Sequence, residues 1–79
     1  MSERPDLLLD CRGMRCPLPV IELGRRIGEV DVGAVVTVLA DDPAAAADIP
    51  AWCRLREHEY LGADDSAGDV AVYRVRRGR

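Results

Sequence analysis

Apolar residues recur along the chain with two different periods, and the change of period marks its elements. Leu7-Leu8-Leu9 is a short apolar run that stops at Asp10, the pattern of a buried strand. From Pro17 to about Gly28, Val20, Leu23 and Ile27 recur at helical spacing while Glu22, Arg25 and Arg26 take the other side, which predicts an amphipathic helix. Val32-Gly33 reads as a turn. Ala34 to Ala40, carrying Val35, Val36, Thr37, Val38 and Leu39, is the clearest strand in the chain. Strand, helix and strand in series make a βαβ unit, so the first two strands are expected to run parallel with a right-handed crossover.

Asp42-Pro43 opens a second helix, with Asp42 as its cap and Pro43 at its first position. Pro50 falls inside the run Ala44 to Leu55, which predicts either a kink or a fresh start with Asp48 as a new cap. His58 to Ala63 reads as a strand, residues 64–68 as a turn, and Val70 to Arg76 as the last strand, closing a hairpin. The predicted order is β-α-β-α-β-β. Two helices can cover only one face of a mixed four-stranded sheet, so the expected fold is a two-layer α/β sandwich. Residues 1–79 are expected to form a single domain with an ordered core of about 7–76. At 79 residues this is near the lower limit for a core without staples.

Charge narrows the function classes. All eleven basic residues are arginine, fourteen residues are acidic, and the net charge of −3 argues against a general nucleic-acid binder. Arg74, Arg76, Arg77 and Arg79 make a basic C-terminal run that reads as a solvated strand end. The polar N-terminus is not followed by an apolar stretch, so no signal peptide is expected, and no run is long enough to span a membrane. The expectation is a cytoplasmic protein. Its three cysteines, an odd number, predict at least one free thiol and no disulfide framework.

The candidate chemistry lies at Cys16-Pro17-Leu18-Pro19. Proline is tolerated in the first helical turn, which makes Pro17 the expected first helical residue and Cys16 the cap before it. Cysteine is a poor cap, so a chemical reason is the natural compensation. A helix N-terminus favours anions and depresses thiol pKa values there. Arg15 and Arg12 add positive charge, and Gly13 gives the loop freedom. The residues describe an activated thiolate at the tip of a rigid element, with Met14 and Leu18 as an apolar docking rim.

These residues carry a resemblance. Leu9-Asp10, Arg12-Gly13-Met14-Arg15-Cys16-Pro17-Leu18-Pro19, Ala40-Asp41-Asp42-Pro43 and Asp48-Ile49-Pro50 with Cys53 three residues on resemble the TusA/SirA-like sulfur carriers, over about Leu7 to Val75. In that family the cysteine of Cys-Pro-x-Pro accepts sulfane sulfur as a persulfide and relays it to a partner thiol. The resemblance assigns that task to Cys16, with Pro17 and Pro19 setting its geometry, and implies the same β-α-β-α-β-β sandwich. It implies a cysteine desulfurase or rhodanese-type donor and a downstream acceptor protein, in tRNA thiolation, molybdenum-cofactor metabolism or sulfur oxidation. No metal and no organic cofactor are called for.

Other readings compete. Pro19 stands where a Cys-x-x-Cys motif would have its second cysteine, which disfavours dithiol exchange. Cys11 is not required by the family motif; it reads as a strand-end residue, with a second redox or persulfide site as the alternative. Cys53 reads as a core residue beside Trp52, and His58 as structural or exposed. A metal site of Cys11, Cys16, Cys53 and His58 has poor spacing for zinc, and Asp41-Asp42 are explained by a turn and a cap. The principal alternative function is a regulatory or adaptor module that binds a protein without turning over sulfur.

Overall fold

The computed structural model describes residues 6–79, apart from the side chains of 65–67. Strand β1 (Leu7–Asp10) lies parallel to β2 (Val35–Ala40), with Leu7 opposite Val36 and Asp10 opposite Leu39. Helix α1 (Leu18–Arg26) and a short 3₁₀ turn (Ile27–Glu29) make the crossover between them. Helix α2 (Ala45–Arg56) then leads into the antiparallel hairpin of β3 (Glu59–Ala67) and β4 (Val70–Arg76). The hairpin folds back so that β4 pairs with β2 and β3 becomes an edge, giving the sheet order β1-β2-β4-β3. This is the mixed four-stranded sheet with two helices that the pattern predicts.

Side chains alternate across a strand, so one face of each strand supplies the core. Along β2 the buried positions are Val36, Val38 and Ala40, and β4 sets Val75 opposite Val36 and Tyr73 opposite Val38. Leu9 of β1, Leu23 of α1, and Ala45, Ile49 and Cys53 of α2 close on that face; the last three recur every four residues along one side of the helix. Trp52 lies half-buried against α1 at Gly24, where an added methyl would meet the indole at ordinary contact distance.

Three expectations about boundaries need correction. Helix α1 begins at Leu18, so Pro17 is its cap position, Pro19 is its second residue and is buried, and Cys16 lies outside the helix. The Leu18 N–H bonds to the Arg15 carbonyl, and the Cys16–Pro17 peptide is cis. Helix α2 does not restart at Pro50 with Asp48 as a cap; it runs through the proline, and the apolar face of Ala45, Ile49 and Cys53 keeps its register on either side. The expected turn at 64–68 is mostly strand: β3 continues to Ala67, two irregularities in its pairing absorb the extra residues, and only Gly68-Asp69 turn the chain. Gly68 has φ +82°, a conformation that glycine adopts without cost.

Asp42 bonds at the α2 entrance, but the cap position expected for it falls to Ala44, and Pro43, the expected first residue, lies before the helix. The Asp42 carboxylate accepts the Ala44 N–H at 3.0 Å and its carbonyl accepts the Ala45 N–H, although the regular helix starts at Ala45.

Candidate functional site

Parallel neighbours end on the same edge of a sheet, so the segments leaving β1 and β2 emerge together. Cys11 extends the pairing one step, its N–H bonding to the Leu39 carbonyl at 2.8 Å. Residues 12–17 then turn across the start of the 41–44 segment. Both oxygens of Asp41 accept the Gly13 N–H, at 3.0 and 3.1 Å, and Asp42 Oδ2 accepts the Cys16 N–H at 2.7 Å. The two aspartates thus hold the cysteine loop by its backbone. Gly13 has φ +82°, a left-handed conformation that glycine adopts without cost.

Cys16 is exposed at the end of this loop, whereas Cys11 and Cys53 are 0% and 1% exposed in the core. Burial pushes both inner thiols up, Cys53 to about 11, so they rest as protonated core residues. Cys53 is where the sequence placed it, in the core one residue after Trp52.

The charges around Cys16 differ from those expected. Arg12 forms a bidentate pair with Asp10, at 2.8 and 2.6 Å, which holds the Asp10 carboxyl down to about 2 and ties up the cation. Arg15 is exposed, and its positive charge bears on Asp42. Acids set the charge here: Asp48 foremost, then desolvation and the negative charge of Asp42, push the Cys16 thiol up. The expectation of a depressed thiol is therefore overturned. Helix α1 starts one residue too late for Cys16 to cap it, and acids from the 41–44 segment and α2 outweigh the arginines that neighbour it in sequence. Asp42 is held low by the N–H groups of Ala44 and Cys16 and, more weakly, by Arg15.

Of the expected apolar rim, Leu18 is 49% exposed beside Ile21 at 50%, while Met14 is half-buried against the core. Met14 lines a shallow concavity of about 390 Å³ next to the cysteine loop, together with Gly13, Arg15, Asp41, Asp42 and Pro43. His58 lies beyond the other end of α2: its Nδ1 accepts the Gly78 N–H at 3.0 Å and its ring stacks on Trp52 at 5.1 Å. It is a structural residue, remote from the sulfur.

A family model for sulfurtransferase TusA matches residues 8–77. The chain belongs to the TusA family. Its fold is also that of a SirA-like protein from Desulfitobacterium hafniense, to which it is similar with a TM-score of 0.79 and 23% identity, over 92% of this chain and 99% of that one. TusA-family membership implies sulfur transfer, carried out with partner proteins in a relay. No helix among the described residues is long and apolar enough to cross a membrane.

Sequence reasoning missed Asp41 and Asp48 as site residues and credited Asp42 only as a cap. The signal was present: a parallel βαβ unit puts the residues after Ala40 beside those after Asp10, so Asp41-Asp42 had to face the cysteine loop.

Proposed function

We propose that this TusA-family protein is a sulfur carrier in which Cys16 holds sulfane sulfur as a persulfide and passes it to a partner thiol. The observation that carries the reading is that Cys16 alone of the three cysteines is exposed, on a loop fastened at both ends to the sheet edge. A carrier must be reached in turn by a donor and an acceptor, and a sulfur in the core cannot be. The loading step is an exchange at sulfur: the Cys16 thiolate attacks the outer sulfur of a donor persulfide, and the donor thiolate departs. Delivery repeats the step with Cys16 as the leaving group. No metal or organic cofactor enters either step.

Each residue of the loop has a task in this reading. Asp41 and Asp42 fix the backbone through Gly13 and Cys16, Pro17 and Pro19 set the entry to α1, and Arg15 tempers the charge of Asp42. Leu18, with Met14 in the adjacent concavity, supplies apolar contact for a transient partner, whether a cysteine desulfurase, a rhodanese-type donor or the acceptor. The protein works in the cytoplasm as one domain. Its acceptor belongs to tRNA thiolation, molybdenum-cofactor metabolism or sulfur oxidation.

Intact-protein mass spectrometry after incubation with a cysteine desulfurase and cysteine tests the reading, with a rhodanese-type donor as a second arm. Wild type gains one sulfur atom and Cys16→Ser gains none. A gain that survives Cys16→Ser moves the site to Cys11 or Cys53, and no gain from either donor favours an adaptor that turns over no sulfur.

A further inference from the structure

A second concavity, of about 380 Å³, lies at the C-terminal end of α2, and the sulfur chemistry has no use for it. Leu55 and Arg56 line it from the last turn of α2, His58 from the link to β3, Ile27 from the 3₁₀ turn, and Arg77 and Arg79 from the C-terminal segment. On a chain of net charge −3, three guanidinium groups and an imidazole thus share one hollow.

Part of this lining is fixed from behind. Arg77 is half-buried and donates Nη1 to the Val30 carbonyl at 2.6 Å and Nε to the Arg79 carbonyl at 2.8 Å, which sets the plane of its guanidinium and leaves Nη2 over. His58 accepts the Gly78 N–H on Nδ1 and stacks on Trp52, so in the neutral ring Nε2 carries the hydrogen. Glu57, the acid next to them, is taken by Arg79 Nη1. Arg56 has no hydrogen-bond or ion-pair partner among the described residues, so all its donors are unused.

We propose that this hollow is a binding site for a phosphate monoester, with Arg56, Arg77 and His58 Nε2 donating to the phosphoryl oxygens and Leu55 and Ile27 meeting the organic group. A phosphoryl group offers three strong acceptor oxygens pointing in different directions, and guanidinium forks bond such oxygens two at a time. The donors here come from two separate segments and converge on one space, which suits a tetrahedral anion better than a flat carboxylate. The volume falls within the range of about 300–1,000 Å³ usual for small-ligand sites. A bare phosphate would leave much of it empty, and Leu55, 77% exposed, gives an ester group its apolar contact. The site shares no residue with the cysteine loop, so it stands or falls apart from the carrier reading.

The chain has a single histidine, so the His58 imidazole proton signals report on the site without ambiguity. The test follows them by NMR during titration with phenyl phosphate at constant ionic strength and about pH 8, where the ester, with a second pKa of about 6, is a dianion. Inorganic phosphate and benzoate are titrated in parallel; the first lacks the organic group and the second lacks the phosphoryl. Phenyl phosphate is expected to shift the signals saturably and at lower concentration than either. Arg56→Gln weakens its binding about tenfold, the scale of a hydrogen bond between charged groups. Arg54→Gln removes the same charge from an exposed site on the same helix outside the hollow, and leaves binding within about twofold of wild type. A shift that does not saturate overturns the proposal. So does an equal loss in the two arginine variants, which would mark a general field, and so does either comparison ligand binding as tightly as phenyl phosphate.

Discussion

The two ends of helix α2 carry opposite charge and serve opposite ends. Twelve residues at 1.5 Å each separate them by about 18 Å. At the N-terminal end, Asp41 and Asp42 hold the backbone of the loop that carries an exposed sulfur. At the C-terminal end, Arg56, Arg77 and Arg79 gather around His58, whose pKa is pushed down by burial first and then by the three arginines. Both ends use charged side chains to hold backbone. Asp41 and Asp42 fasten the cysteine loop, while Arg77 donates to the Val30 carbonyl at 2.6 Å and His58 accepts from Gly78, which pins the C-terminal segment to the body of the fold. The difference is what remains outward. The basic end, with Arg79 paired to Glu57 and the His58 ring on Trp52, leaves a hollow lined by arginine. The acidic end leaves a sulfur and a shallow concavity facing solvent. Charge at a small domain's edge is thus read by what it tethers, and here the acidic tethers present an exposed sulfur.

The sharpest way to break this comparison is to remove the reactive atom at one end and the ring at the other. Cys16→Ser is expected to lose sulfur loading completely, while His58→Ala loads as wild type does, both followed by intact mass. If His58→Ala lost loading with its fold intact, the two ends would not be separate in function.

A second comparison sets the inner sulfurs against the outer one. Cys53→Ser exchanges a buried thiol for a hydroxyl in an apolar pocket and is expected to cost about 1–3 kcal/mol in urea unfolding. Its sulfur loading at temperatures where it is folded is unchanged. Cys16→Ser reverses the pattern, with loading lost and the unfolding midpoint near wild type.

Gly13→Ala probes the tether. Space for the added methyl is open, so the cost is that of φ +82° alone, about 1 kcal/mol. Circular dichroism of the variant is native, and Cys16 reacts with a broader spread of rates as the loop loses its fixed form.

The smallest effect is in acid, and it separates the ends by pH. A group whose folded pKa lies below its unfolded value stabilises the fold above the unfolded pKa and loses that contribution as pH falls through the folded one. For His58, lowered from 6.5, the loss begins as the pH drops below 6.5. For Asp42, lowered from 3.8, and Asp10, lowered from 3.8 to about 2, it begins only below 3.8. Stability against urea should therefore fall in two steps on acidification. His58→Gln removes the upper step and Asp42→Asn weakens the lower one; a single step in wild type would contradict the assignment.

Much of the fold could be read in the chain because the information was local. Val35 to Leu39 with its turn at Gly33, and Val20, Leu23 and Ile27 at helical spacing, specify a strand and a helix face with no reference to distant residues. The family could be read for the same reason: the resemblance rests on a short string, Arg12 to Pro19, followed by Asp41-Asp42-Pro43. The exposed cysteine followed from that string too. What the chain could not show was the environment of the sulfur. Arg12 and Arg15 are its neighbours in sequence, and from sequence alone they promised a cationic site. In space Arg12 is taken by Asp10, two residues away, and the acids Asp48 and Asp42, from a later part of the chain, push the thiol up. Electrostatics depends on distance and competition among partners, which tertiary packing sets. Likewise nothing local told β4 to sit beside β2 with β3 at the edge, since strand order is decided by which apolar faces close on the helices. The sequence by itself determined the elements and the family and singled out Cys16; only the tertiary structure decided which charges surround that residue, because the cysteine loop and the 41–44 segment meet only when the parallel strands align their ends.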